Sequence, residues 1–121
     1  MRPELEEFNQ LCTLANKEKF PLKCTFELTY HCNLRCCHCY VSPEGTRKEL
    51  SIDQIVSIME QLFELGTRYI GFTGGEIFVR SDIWDILEHA ADLDMKINIK
   101  TNATLIDAEA AERLRDLPVT M

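Results

Sequence analysis

Two hydrophobic periods take turns along this chain. Over residues 4–17, Leu5, Phe8, Cys12 and Ala15 fall on one stripe at helical spacing, which predicts an amphipathic helix. Pro21 breaks that pattern. From Lys23 to Thr29 the period becomes two, with Cys24, Phe26 and Leu28 alternating against Thr25, Glu27 and Thr29, and this predicts a strand. A cysteine-rich loop follows and runs through Pro43 and Gly45. Ser51-Ile52-Asp53-Gln54 is a capping box, a Ser with a Gln three residues on. The helix it opens carries Ile52, Ile55, Met59, Leu62 and Phe63 on its apolar face, and Gly66 is placed to close it. Tyr69 to Thr73 predicts a second strand, ending in Gly74-Gly75-Glu76. Ser81 is expected to cap a helix whose face is Ile83, Ile86, Leu87, Ala90 and Leu93. Lys96 to Thr101 predicts a third strand, followed by Asn102-Ala103-Thr104. Asp107 is expected to cap a further helix with Ala111 and Leu114 inward; Pro118 ends it, and Val119-Thr120-Met121 begins a fourth strand.

A leading helix and then β-α-β-α-β-α-β is the order of an α/β fold with a parallel sheet and right-handed crossovers. The strand ends at Thr73 and Thr101 lie 28 residues apart, close to the ~31 residues of an average βα unit in a closed barrel. The first unit is longer because it holds the cysteine loop. That loop, Gly-Gly-Glu and Thr-Asn-Ala-Thr all follow carboxyl ends of strands. In parallel α/β sheets those ends share the face that carries the active site.

Composition narrows the partners. The 121 residues are 45% hydrophobic and 27% charged, an ordinary globular balance. A net charge of -7 lacks the basic footprint of a general nucleic-acid binder. No apolar run reaches the roughly 18–20 residues that span a bilayer, and Met1-Arg2-Pro3-Glu4-Leu5-Glu6-Glu7 holds no secretory core. The expected location is therefore the cytoplasm, with neither nucleic acid nor membrane as partner. In that compartment six cysteines point to metal or redox chemistry before disulfides. Four of them crowd into Cys32–Cys39, while Cys12 and Cys24 stand apart and read as small buried hydrophobes.

Cys32, Cys36 and Cys39 are spaced by three residues and then by two. Such a loop suits three corners of a cuboidal iron–sulfur cluster and leaves the fourth iron open. Cys37 is an available fourth thiol, but neighbours in an extended loop point their side chains apart. The rival readings are a zinc-binding interaction module, which ordinarily brings a second Cys or His pair, a plain electron-transfer cluster with four thiolates, and inert buried thiols.

These residues resemble the radical S-adenosylmethionine (radical SAM) superfamily. Cys32-x-x-x-Cys36-x-x-Cys39 after the first strand is similar to its cluster motif, and Leu28-Thr29-Tyr30-His31-Cys32-Asn33-Leu34-Arg35-Cys36 to the way many members enter that loop. Gly74-Gly75-Glu76 resembles its glycine-rich SAM-binding motif, and Thr101-Asn102 recurs in a large subset. Thr104-Leu105-Ile106 and the helix after it resemble members with a C-terminal accessory-cluster domain of the SPASM type, which modify peptides; members that build cofactors look similar here. The resemblance covers Lys23 to Met121.

The resemblance implies the N-terminal part of a partial (β/α)6 barrel. Residues 1–20 would be a helical extension, and residues 21–121 the first three βα units with the start of a fourth strand. Cys32, Cys36 and Cys39 would hold a [4Fe–4S] cluster whose open iron chelates the methionine end of SAM. Reductive cleavage would give a 5′-deoxyadenosyl radical that abstracts hydrogen from a substrate, a peptide among them. The implied electron source is a low-potential donor such as flavodoxin or ferredoxin. Gly74 and Gly75 would admit the ligand to the backbone, Glu76 would orient its ammonium, and Thr101 and Asn102 would face the same mouth. His38 takes the position where members usually carry Phe or Tyr against SAM, and Ile77 stands where Pro is frequent. His31 and Arg35 add positive charge beside the loop. The later strands' ribose and adenine contacts have no counterpart in these residues, so the 121-residue chain alone is expected to be inactive.

Overall fold

The computed structural model describes residues 3–40 and 48–120. The expectations on Pro43, Gly45 and Met121 lie outside them. Helix α1 spans Pro3–Glu18 and strand β1 Lys23–Thr29. Helix α2 (Ile52–Glu64) leads to β2 (Tyr69–Gly74) and a 3-10 turn over Ile77–Val79. Helix α3 (Ile83–Asp92), strand β3 (Lys96–Ile99) and helix α4 (Ala108–Arg115) follow. The three strands form a parallel sheet in the order β1-β2-β3, and a parallel bridge from Ile97 to Val119 starts a fourth position.

Register explains where the core sits. Cys24, Ile70 and Ile97 align across the sheet, as do Phe26, Phe72 and Ile99. This face meets Ile55 and Met59 of α2 and Ile83, Ile86, Leu87 and Ala90 of α3 in one buried cluster. Burying a side chain of that size is worth roughly 1.5–3 kcal/mol, so the two amphipathic faces hold the helices on one side. Thr25, Gly71 and Asn98 align on the opposite face, the one that turns inward in a barrel.

Local signals set most boundaries. Ser51 accepts from the Gln54 amide, and the Gln54 side chain accepts from the Ser51 amide at 3.0 Å. Gly66 follows α2 at φ +107°. Asp107 accepts from the Ala110 amide at 2.9 Å.

Four expectations need correction. Asp82, not Ser81, precedes α3, and it makes no side-chain cap because Arg80 holds its carboxylate at 2.7 and 2.8 Å. Ala110 is the buried alanine of α4, while Ala111 is exposed. Strand β3 ends at Ile99, because Thr101 turns away toward Glu76. Cys12 is exposed and so is Leu5: α1 is covered mainly at Ala15 and at Phe8, whose ring meets Tyr69 edge-on at 5.2 Å. Cys24 is half-buried on an edge strand, and that burial pushes its thiol pKa up. Among the described residues no helix is long and apolar enough to cross a membrane.

Candidate functional site

Three loops leave the carboxyl ends of β1, β2 and β3 and meet at one mouth. The first carries the cysteines. Cys32, Cys36 and Cys39 line one cavity of about 330 Å³ together with Tyr30, His31, Leu34, Arg35 and Gly75. The Cys39 amide donates to the Cys36 carbonyl at 3.2 Å, a turn that brings i and i+3 to the same wall. Cys37 and His38 do not line that wall; they face each other, with Sγ 3.8 Å from Nδ1. Among the described residues no three His, Cys, Asp or Glu side chains converge closely enough to hold a single metal ion. The three thiols share the lining of the cavity.

The second loop is the glycine turn. The Gly75 amide donates to the Thr29 carbonyl and the Glu76 amide to the His31 carbonyl, both at 2.8 Å. A Cβ on Gly74, which has φ +144°, would collide with the Thr29 carbonyl oxygen. One on Gly75 would collide with the carbonyl of His31 and stand 3.0 Å from that of Tyr30. The missing side chains thus admit the chain's own backbone, pressing the turn against the root of the cysteine loop. Gly75 still shows a face to the cavity.

Glu76 is fully buried. Its carboxylate accepts from the Phe78 amide at 3.1 Å, from the Asn102 amide at 2.8 Å, and from the Thr101 hydroxyl, which lies 2.8 Å from both oxygens. A buried carboxylate with this many donors is a clasp between the second and third loops. In the third loop, Thr101 Oγ1 accepts from the Ala103 amide and Asn102 Oδ1 from the Thr104 amide, both at 3.0 Å. The residue at positive φ is Ala103, at +62°, not Asn102.

Sequence reasoning missed Glu49 and Arg80, which have no local period to reveal them. Glu49 Oε1 accepts from Thr29 Oγ1 at 2.6 Å and the Tyr30 amide at 2.8 Å. Arg80 donates to the carbonyls of Leu28 at 2.9 Å and Leu50 at 3.3 Å, and pairs with Asp82. Together they tie the far end of the cysteine loop back to its start. Burial pushes the Glu49 carboxyl pKa up, but the hydrogen bonds from Thr29 and Tyr30 and the charges of His31 and Arg80 outweigh it, and the net shift is downward. The hydrogen-bonded Arg80 guanidinium likewise holds Asp82 low. A carboxyl lowered in the fold contributes stability that is present above its unfolded pKa, about 4.3 for Glu, and lost as pH falls through the folded value. Glu49→Gln should therefore unfold at lower urea than the parent at pH 7, with the gap closing as pH drops below about 4. A gap that is constant with pH would refute the ionic part of this anchor.

Parallel βα units that gather three thiols and a glycine turn around one cavity at their carboxyl ends are the arrangement of part of an α/β barrel, with the site on the face where a barrel has its mouth. Residues 26–121 match the Radical SAM superfamily, and the chain belongs to it. That superfamily consists of enzymes that use a [4Fe–4S] cluster and SAM. The chain is 40% identical over 103 residues to the antilisterial bacteriocin subtilosin biosynthesis protein AlbA of Bacillus subtilis, covering 84% of this chain and 23% of AlbA. It is 38% identical over 96 residues to the mycofactocin maturase MftC of Mycolicibacterium smegmatis, covering 78% of this chain and 24% of MftC. Among solved structures, Streptococcus suis SuiB bound to S-adenosylmethionine aligns with a TM-score of 0.74 at 24% identity, over 95% of this chain and 27% of SuiB. The chain therefore spans about a quarter of the length of these relatives.

Proposed function

We propose that this chain is the cluster- and SAM-binding part of a radical SAM enzyme that matures a peptide. The observation that carries this reading is the single cavity walled by Cys32, Cys36, Cys39 and Gly75, with Cys37 off that wall. Three thiols on one cavity suit a [4Fe–4S] cluster with one iron left for SAM. When bound, the reduced cluster supplies the electron that splits SAM into methionine and a 5′-deoxyadenosyl radical. The chain's own part is placement. Gly75 offers backbone to the methionine end from the cavity wall. Glu76 sets the angle of that turn from below and fixes Thr101 and Asn102 beside it. His38, which the resemblance would set against SAM, faces Cys37 off the cavity wall and is given no contact with SAM. A peptide substrate is favoured by the relatives' names: a bacteriocin biosynthesis protein, a maturase, a PqqA peptide cyclase, and SuiB solved with its precursor peptide. A flavodoxin- or ferredoxin-type donor in the cytoplasm would supply the electron. Residues 1–20 would be an extension to the radical SAM part at 21–121.

The test is anaerobic reconstitution with iron and sulfide, metal assay, and spin-resonance spectra of the reduced protein with and without SAM. A [4Fe–4S] signal that shifts on adding SAM is expected. Bound zinc without inorganic sulfide would replace this reading with a zinc module. A four-iron signal that SAM leaves unchanged would replace it with an electron-transfer centre.

A further inference from the structure

A closed ring of hydrogen bonds joins the cysteine loop to the loop after β3. Asn33 Nδ2 donates to Thr104 Oγ1 at 2.8 Å, Thr104 Oγ1 donates to Asn102 Oδ1 at 2.7 Å, and Asn102 Nδ2 donates to Asn33 Oδ1 at 3.0 Å. The donors run one way round the ring. Turning over either amide would set donor against donor, so each group fixes the next. Asn33 is the neighbour of Cys32. Asn102 is in turn fixed from beneath, its amide held by the buried Glu76. The ring thus couples a thiol-bearing loop to the rigid end of the sheet.

The same geometry reaches the sulfur. Asn102 Nδ2 lies 3.9 Å from Cys32 Sγ, and the Leu34 amide donates to that sulfur at 3.4 Å. Exposed neutral hydrogen bonds add little to stability, about 1 kcal/mol or less each, so the ring's value lies in what it aims. N–H groups directed at a cluster's thiolates favour its reduced form and raise its potential.

We propose that Asn33, Asn102 and Thr104 are positioning residues: they latch Cys32 against the third loop and direct an amide N–H to its sulfur, raising the potential of the cluster it holds. This rests on the cluster reading above. The test compares Thr104→Val, Asn33→Leu and Thr104→Ser with the parent, all reconstituted anaerobically and measured without SAM. Iron and sulfide per chain, circular dichroism and the cluster's midpoint potential are the readouts. Thr104 is exposed, so its valine variant leaves the core intact. Expected is a shift to more negative potential, or loss of cluster with unchanged dichroism, in Thr104→Val and Asn33→Leu, with Thr104→Ser behaving as the parent because it keeps the hydroxyl. A parental potential and cluster content in both disrupting variants would overturn the latch and leave the cluster reading standing. So would a serine variant as impaired as the valine one. A parent without inorganic sulfide would overturn both.

Discussion

Alanine at Cys32, Cys36 or Cys39 is expected to abolish retention of the [4Fe–4S] cluster, while Cys37→Ala keeps it. The reason is placement. Three thiols share the wall of one cavity, and Cys37 faces His38 instead. A cluster held by three thiolates has no spare protein ligand, so each loss leaves two bonds and an exposed iron edge. Iron and sulfide per chain after anaerobic reconstitution, with the visible charge-transfer absorption, read the result directly. All four thiols are exposed, so none of these substitutions removes core packing, and a folded but colourless protein is the expected form of the three losses. Equal loss across all four would mean that Cys37 ligates as well, and the open iron on which SAM binding depends would be gone.

Much of this was legible because the signals are local. Alternation from Cys24 to Leu28 marks β1 at its observed ends, the capping box at Ser51 starts α2, and Asp107 starts α4. Cysteine spacing singles out the three thiols that share the cavity. The failures come where a side-chain contact or its absence overrides the local pattern. Arg80 takes the carboxylate of Asp82, so neither Asp82 nor Ser81 caps α3. Glu76 draws Thr101 out of the third strand. Cys12 sits on a helical apolar stripe, yet it is exposed. Glu49, Arg80 and Asn33 act through contacts tens of residues away in sequence, with no period to announce them. The glycine turn was legible as a motif, but its first physical task was not: it lets two backbones touch.

That contact yields the second large effect, which is expected in Gly75→Ala. The added methyl would collide with the His31 carbonyl oxygen, approach its carbon to 2.6 Å, and stand 3.0 Å from the Tyr30 oxygen. All are backbone atoms of the segment that enters the cysteine loop, so no side chain can rotate away. Relief requires moving the loop, which breaks the Gly75–Thr29 and Glu76–His31 hydrogen bonds at 2.8 Å each. Overpacking with lost backbone bonds should cost about 3 kcal/mol in urea unfolding. Gly71→Ala, within β2 four residues earlier, is the control, because its methyl would rest 3.4 Å from Thr25 Oγ1, on an exposed side chain that can yield. That change should stay within about 1 kcal/mol. Because Gly75 also walls the cavity beside the three thiols, Gly75→Ala should weaken cluster retention along with the fold, whereas Gly71→Ala should leave it as in the parent. Similar unfolding midpoints for the two variants would show that the turn and the loop root are not pressed together, and the stated route by which the glycine pair positions the site would be wrong.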